Sequence, residues 1–156
     1  MIILGIDPGI NVVGYGIIKV EDYNNINYLD GGIIKTSVAD PLHNRLGAIA
    51  IKIEELIDNF NPTIVGLEEV FVNNNIASSM KLCYARGAIM SILGKNNCNL
   101  FEIAPNKMKK ILTGNGHADK MQVSYMVRLL IKGIKGAITS DQSDALAIAY
   151  AVWVNK

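Results

Sequence analysis

The sequence predicts an α/β fold, a mixed five-stranded sheet that is first antiparallel and then parallel, flanked by helices. Three observations predict it. Strand-forming patterns occupy residues 2–7, 12–20 and 26–36 with short connections, as in an antiparallel meander. Helical and strand patterns then alternate along the chain. The last helical stretch, residues 141–154, carries no charge beyond residue 144, so we expect it to be buried on most sides.

The first strand is apolar and ends in an acid. Asp7 closes it and Pro8-Gly9 turns the chain, so the carboxylate is expected to stand on a rigid element. Asn24-Asn25 separates the next two strands, and Gly31-Gly32 is predicted to form a bulge in the third. This meander supplies the antiparallel half of the sheet.

Beyond the meander, helical and strand patterns alternate along the sequence. Residues 46–60 have an apolar face at helical spacing, ended by Asn61-Pro62. Residues 63–67 and 99–103 form short strands, and the first leads directly into Glu68-Glu69. Between them a helix over 76–93 carries many small residues, which suits tight packing or a subunit contact. Short helices flank the turn at 114–116, and with no linker or repeat we expect residues 1–156 to form a single domain.

Composition excludes some classes of protein. Half of the 156 residues are hydrophobic, which predicts a sizeable core rather than disorder. No stretch resembles a membrane span or a signal peptide, so we expect no membrane association. Cys83 and Cys98 lack metal-like spacing and are expected to be reduced core thiols in the cytoplasm.

The charges are unevenly distributed although the net charge is only +1. Residues 1–80 carry four basic and ten acidic side chains, whereas residues 81–135 carry ten basic and two acidic ones. This asymmetry is typical of a basic region that binds a polyanion beside an acidic centre that binds metal. Solvated helix faces would give the same counts, so charge alone leaves both interpretations open.

Four acids are candidates for one site. Asp7 and Glu68 end strands of the same sheet, while Asp141 and Asp144 share one helix face, about 5–6 Å apart. Carboxylates crowded together repel one another, so convergence would require divalent cations. Two Mg²⁺ ions held by such acids can hydrolyse a phosphodiester.

Each acid also has a purely structural alternative. Asp7 would serve as a turn cap, Asp141 as the N-cap of the last helix, and Glu68 as an exposed strand end with Glu69 an equal choice. Asp144 has the weakest such alternative, because its helix is so apolar.

Several short motifs occur in a specific order along nearly the whole chain. They are Gly5–Gly9 with Gly14–Gly16, Glu68–Phe71 with Asn75, Ser79–Leu82, Ala85–Gly87, Gly114–Gly116 with Ala118, Lys120, Gln122 and Val123, and Asp141–Ala147. In these motifs the sequence resembles the bacterial RuvC Holliday-junction resolvases, whose fold is that of ribonuclease H and the retroviral integrases.

The resemblance implies an endonuclease of DNA recombination and repair. Such a protein is a homodimer that binds a four-way DNA junction and nicks two strands symmetrically with Mg²⁺, for which Mn²⁺ substitutes. The resemblance selects Glu68 over Glu69. The residues that it assigns to catalysis and metal binding are Asp7, Glu68, Asp141 and Asp144.

The resemblance also implies DNA contacts. Phe71 corresponds to an aromatic wedge against the bases at the crossover. Lys109 and Lys120 correspond to lysines that meet phosphate, and Lys81 and Arg86 are further phosphate contacts. The helix near 77–93 corresponds to the dimer contact.

Three alternatives remain open. The resemblance fits a bacterial enzyme that works with the RuvA–RuvB branch-migration complex, and equally a phage resolvase that cuts broader branched DNA without it. A branched-DNA-binding protein of the same fold that does not cut is a second alternative. A nucleotide-binding phosphotransferase is a third, since that class also opens with a strand, an Asp and a Gly-rich hairpin.

Overall fold

A computed structural model describes residues 1–70 and 75–156. Its centre is a five-stranded sheet in the order β3-β2-β1-β4-β5. The first three strands are antiparallel, and β4 and β5 run parallel to β1. The strands are β1 (Ile2–Asp7), β2 (Val12–Asp22), β3 (Asn25–Lys35), β4 (Ile64–Glu68) and β5 (Leu100–Ile103). The predicted mixed sheet is therefore confirmed.

Helices cover both faces of the sheet. One face packs against α1 (Leu42–Phe60) and α2 (Ile76–Lys95). The opposite face packs against α3 (Pro105–Thr113), α4 (Lys120–Leu130) and α5 (Ser140–Asn155). Within the described residues, none of these helices is long and apolar enough to cross a membrane.

Alternation along β1 assigns its side chains to the two faces. Ile3 belongs to the core beneath α5, whereas Leu4 and Ile6 belong to the core beneath α1 and α2. Because successive residues of a strand point to opposite faces, Gly5 and Asp7 lie on the α5 side with Ile3. The apolar helix α5 is buried along most of its length, as its composition predicts.

Glycines let α5 lie unusually close to the sheet. A Cβ added at Gly5 would stand 2.0 Å from the carbonyl oxygen of Ala145 in α5. One added at Gly14 would stand 2.1 Å from the carbonyl oxygen of Asp141. Side chains at Gly16 and Gly66 would likewise collide with α5. Gly5, Gly14 and Gly16 therefore accept glycine alone while the helix keeps its place, because a Cβ there would meet backbone atoms of α5.

Two smaller expectations are wrong. Gly31 and Gly32 pair regularly with Gly16 and Tyr15, and the extra residue of the bulge is Leu29. The two glycines instead leave room for side chains, since a Cβ at Gly31 would stand 3.1 Å from the Gln142 amide nitrogen.

Cys83 is exposed on α2 rather than in the core; it and the half-buried Cys98 are both free thiols.

Candidate active site

Asp7 and Glu68 stand at the carboxyl ends of neighbouring parallel strands. The last paired residues of β1 and β4 are Ile6 and Leu67, and the two acids follow directly. Residues two apart on a strand point to the same face of the sheet. Gly5 and Gly66 face α5, so the carboxylates of Asp7 and Glu68 face that helix as well. The parallel half of the sheet thus brings the first two predicted residues together.

Asp141 and Asp144 lie in the first turns of α5. Thr139 caps this helix, its hydroxyl accepting the backbone N–H of Gln142 at 3.2 Å. The interpretation of Asp141 as the N-cap is therefore wrong. The backbone of Asp141 lies against Gly14, and Gly14 is the cross-strand partner of Asp7. The close approach of α5 thereby places its first turn beside the end of β1.

The pKa values of three acids show that the four carboxylates share one electrostatic environment. Burial, followed by the charges of Glu68, Asp144 and Asp141, raises the pKa of Asp7 to about 8. Burial, followed by the charge of Asp144, raises the pKa of Glu68 to about 7. Burial and Asp141 also raise the pKa of Asp144. Like charges in a poorly solvated space disfavour ionisation, so this site holds excess negative potential.

Two predicted lysines oppose that potential. The charge of Lys120 lowers the pKa of Asp7 and Asp144. The charge of Lys109 lowers the pKa of Glu68 and Asp144. Lys109 lies on α3 and Lys120 opens α4, so both helices bring positive charge to the carboxylates. The net rise in the pKa values of Asp7 and Glu68 means that these two lysines leave the site under-neutralised.

The donor chemistry of the site fits a hard divalent cation, because carboxylate oxygens are the ligands that Mg²⁺ and Mn²⁺ prefer. Among residues 1–70 and 75–156, no three acidic, histidine or cysteine side chains stand in an arrangement that could hold a metal ion directly. The four carboxylates are therefore electrostatic neighbours, and a bound cation would have to draw them inwards. Their metal-ligand role stays a prediction.

The remaining predicted DNA contacts have different surroundings. Lys81 is exposed on α2. Arg86 is largely buried, forms an ion pair with Glu102 and donates from Nε to the carbonyl oxygen of Glu68 at 3.2 Å. Phe71 lies outside the described residues. For all three, contact with DNA stays a prediction.

A further buried arginine was not anticipated from the sequence. Arg45 donates to the carbonyl oxygen of Ile10 at 2.9 Å, to the Asn11 side chain at 2.5 Å and to the Thr36 hydroxyl at 3.0 Å. It therefore fixes the turn that follows Asp7. Its position four residues before Ile49, on the apolar face of α1, was the signal that could have found it.

The topology of the sheet defines the class of fold. The sheet order and strand directions are those of the ribonuclease H-like fold. With a TM-score of 0.90, the structure matches that of Thermus thermophilus RuvC in complex with a Holliday junction substrate, at 32% identity over 97% of this chain and 92% of that one. A yeast mitochondrial Holliday junction resolvase, Ydc2, matches with a TM-score of 0.70 at 13% identity, which shows the shared fold.

Sequence comparison gives the family. The model of the family described as crossover junction endodeoxyribonuclease RuvC matches residues 3–152. A RuvC of Orientia tsutsugamushi (strain Boryong) is 52% identical over 156 residues, covering 100% of this chain and 97% of the relative. The RuvC of Rickettsia typhi is 46% identical over 156 residues, covering 100% and 99%. The chain belongs to the RuvC family, so the predicted family is confirmed.

The raised pKa values predict how stability depends on pH in the absence of metal. Asp7 titrates at about 8 in the folded protein against an ordinary 3.8, and Glu68 at about 7 against 4.5. The folded state therefore binds these protons more tightly than the unfolded state. The contribution of the two protonated carboxyl groups to the free energy of unfolding is complete below about pH 4. It is lost as the pH rises to 8, by at most about 1.4 kcal/mol per pH unit for each group.

Urea unfolding in EDTA between pH 5 and 8.5 measures this effect. In Asp7→Asn, the free energy of unfolding should decrease less as the pH rises, and this variant should be more stable than the unsubstituted protein at pH 8. Asp58→Asn, which changes an exposed acid on α1, should follow the unsubstituted protein. Parallel curves for the unsubstituted protein and Asp7→Asn would contradict the assignment of a buried, crowded carboxylate.

Proposed function

We propose that this chain is a crossover junction endodeoxyribonuclease that resolves four-way DNA junctions by paired symmetric nicks, through metal-dependent hydrolysis of phosphodiesters. The observation that carries the proposal is the electrostatic coupling of Asp7 with Glu68, Asp141 and Asp144 at one end of the sheet. Membership of the RuvC family supports it, as does the likeness to a RuvC whose structure includes a Holliday junction substrate.

We assign metal binding to Asp7, Glu68, Asp141 and Asp144, with Mg²⁺ as the ion and Mn²⁺ as its substitute. Two such ions would supply an activated water and neutralise the charge on the leaving oxygen. Asp7 and Glu68 must lose their protons for the cations to enter, so binding is expected to strengthen as the pH rises.

The protein itself supplies positive charge for the scissile phosphate. Lys109 and Lys120 are close enough to the carboxylates to lower the pKa of Asp144. A phosphate that binds to these lysines would lie next to the acids. Lys81 on α2 is assigned to a phosphate contact, and Phe71 to a wedge against the bases near the crossover.

The activity is tested on a synthetic four-way junction. With Mg²⁺, the protein should introduce nicks in two strands of like polarity, and EDTA should stop them. Asp7→Asn should reduce nicking at least about 100-fold, since it removes a charged ligand. It should bind the junction as tightly as before or more tightly, because less negative charge faces the phosphates.

The matched control is Asp58→Asn, which should nick at the unsubstituted rate. Junction affinity should fall with added salt, as expected when phosphates displace counterions. Stable junction binding without any nicking by the unsubstituted protein would support the non-cutting alternative and overturn the proposal.

We also propose that the protein acts as a homodimer joined through α2. Ile76, Met80 and Tyr84 recur every four residues along this helix, and their exposed fractions are 67, 49 and 43%. Three large apolar side chains in one exposed row are typical of an interaction surface. A two-fold dimer would hold two active sites at a fixed separation, as two symmetric cuts require.

Sedimentation tests this contact. The unsubstituted protein should have twice the 17.0 kDa mass of one chain, and Met80→Glu with Tyr84→Glu should shift it to a monomer. Val38→Glu changes a residue between β3 and α1 that is 77% exposed and should leave the dimer intact. A dimer that survives the double substitution would place the contact elsewhere.

Three accompanying expectations stay predictions. We expect residues 1–156 to act as a single nuclease domain and to work in the cytoplasm. Cooperation with a RuvA–RuvB branch-migration complex is expected of a bacterial enzyme of this family.

A further inference from the structure

The peptide unit that follows Glu68 is held from both sides. Its N–H, which belongs to Glu69, donates to the carbonyl oxygen of Ile103 at 2.9 Å. Its C=O accepts a hydrogen bond from Nε of Arg86 at 3.2 Å. The N–H and C=O of a planar trans peptide point in opposite directions, so two such bonds prevent the unit from rotating. This fixes the backbone directly after the Glu68 side chain.

The orientation of the Arg86 guanidinium is itself fixed. Arg86 forms an ion pair with Glu102, which stands on β5 opposite Leu67. The guanidinium is a rigid planar fork, so one nitrogen can bind the Glu102 carboxylate while Nε binds the Glu68 carbonyl. The Arg86 side chain is 19% exposed and that of Glu102 is 40% exposed, so the pair is partly shielded from water. Arg86 therefore connects α2 with the ends of β4 and β5.

We propose that Arg86 is a positioning residue, which holds Glu68 at the end of β4, and that the Arg86–Glu102 pair acts as one unit in this role. The inference rests on the proposed function, in which Glu68 is a catalytic metal ligand. It replaces the role of phosphate contact that the family resemblance implies for Arg86, because two of the donor nitrogens are already used inside the protein.

Substitution of Glu102 separates the two roles. If Arg86 contacts phosphate, removal of the negative Glu102 carboxylate beside it should not weaken that contact. Glu102→Ala should then nick normally and bind DNA equally or more tightly. A positioning role predicts instead that Glu102→Ala slows nicking about 10-fold and Arg86→Ala about 100-fold in single turnover with saturating junction. Combined, the two substitutions should cost clearly less than the product of the separate losses.

Binding of the junction without metal gives a second readout. Arg86→Ala should leave the junction affinity within about two-fold and the slope of log affinity against log salt unchanged. Loss of one phosphate contact would instead make that slope shallower by about 0.9. Arg86→Lys keeps the charge without the planar fork, so it should nick nearly as slowly as Arg86→Ala.

Amide hydrogen exchange tests the contact without reference to activity. The Glu69 amide should exchange at least about 10-fold faster in both Arg86→Ala and Glu102→Ala, because its peptide unit is freed on the carbonyl side. Lys81→Ala, which changes an exposed lysine of the same helix, should leave that exchange unchanged.

The inference would be overturned by unchanged Glu69 exchange in both variants, by normal nicking of Glu102→Ala, or by a shallower salt slope in Arg86→Ala with normal single-turnover rates. Failure of the proposed function would look different, since the unsubstituted protein would then bind the junction without nicking it. In that case the exchange measurement would still decide whether Arg86 holds the Glu68 peptide.

Discussion

The arrangement of this protein depends on how closely α5 lies on the central sheet. Backbone atoms of the helix occupy the space where side chains of Gly5 and Gly14 would be, 2.0 and 2.1 Å from an added Cβ. Such contact is possible only where the sheet presents glycine. As a result, two acids of a helix and two acids of different strands, far apart in sequence, become electrostatic neighbours.

Crowding these acids has an electrostatic cost that the protein only partly offsets. Burial raises the pKa of Asp144 although the charges of Lys120 and Lys109 oppose the rise, and the pKa of Asp7 is about 8. Without metal, protons neutralise part of the excess charge. A divalent cation would replace those protons, which links the stability, pH dependence and proposed activity of the site to one cause.

The sequence predicted the sheet well, for reasons that are local. It also named four acids whose charges act on one another in the structure, although the family resemblance, not a local pattern, selected Glu68 over Glu69. Period-two and helical patterns revealed the strands and helices. Two of the acids end apolar strands, and the other two open the apolar last helix. The sequence could not reveal contacts between distant elements. The Arg86–Glu102 pair joins α2 to β5, and Arg45 reaches from α1 to the turn after Asp7. The glycines could be read from the sequence. Their contact with α5 could not, because it depends on the tertiary packing of the last helix against the sheet.

The central claim is that the approach of α5 to Gly14 sets the position of Asp141 and Asp144 relative to Asp7. Nicking of a four-way junction by Gly14→Ala tests it most directly, with Gly47→Ala, whose added Cβ would meet nothing within 4 Å, as the control. We predict that folded Gly14→Ala binds the junction normally but nicks it at least about 100-fold more slowly, whereas Gly47→Ala nicks normally. Nicking by Gly14→Ala at the unsubstituted rate would contradict this account.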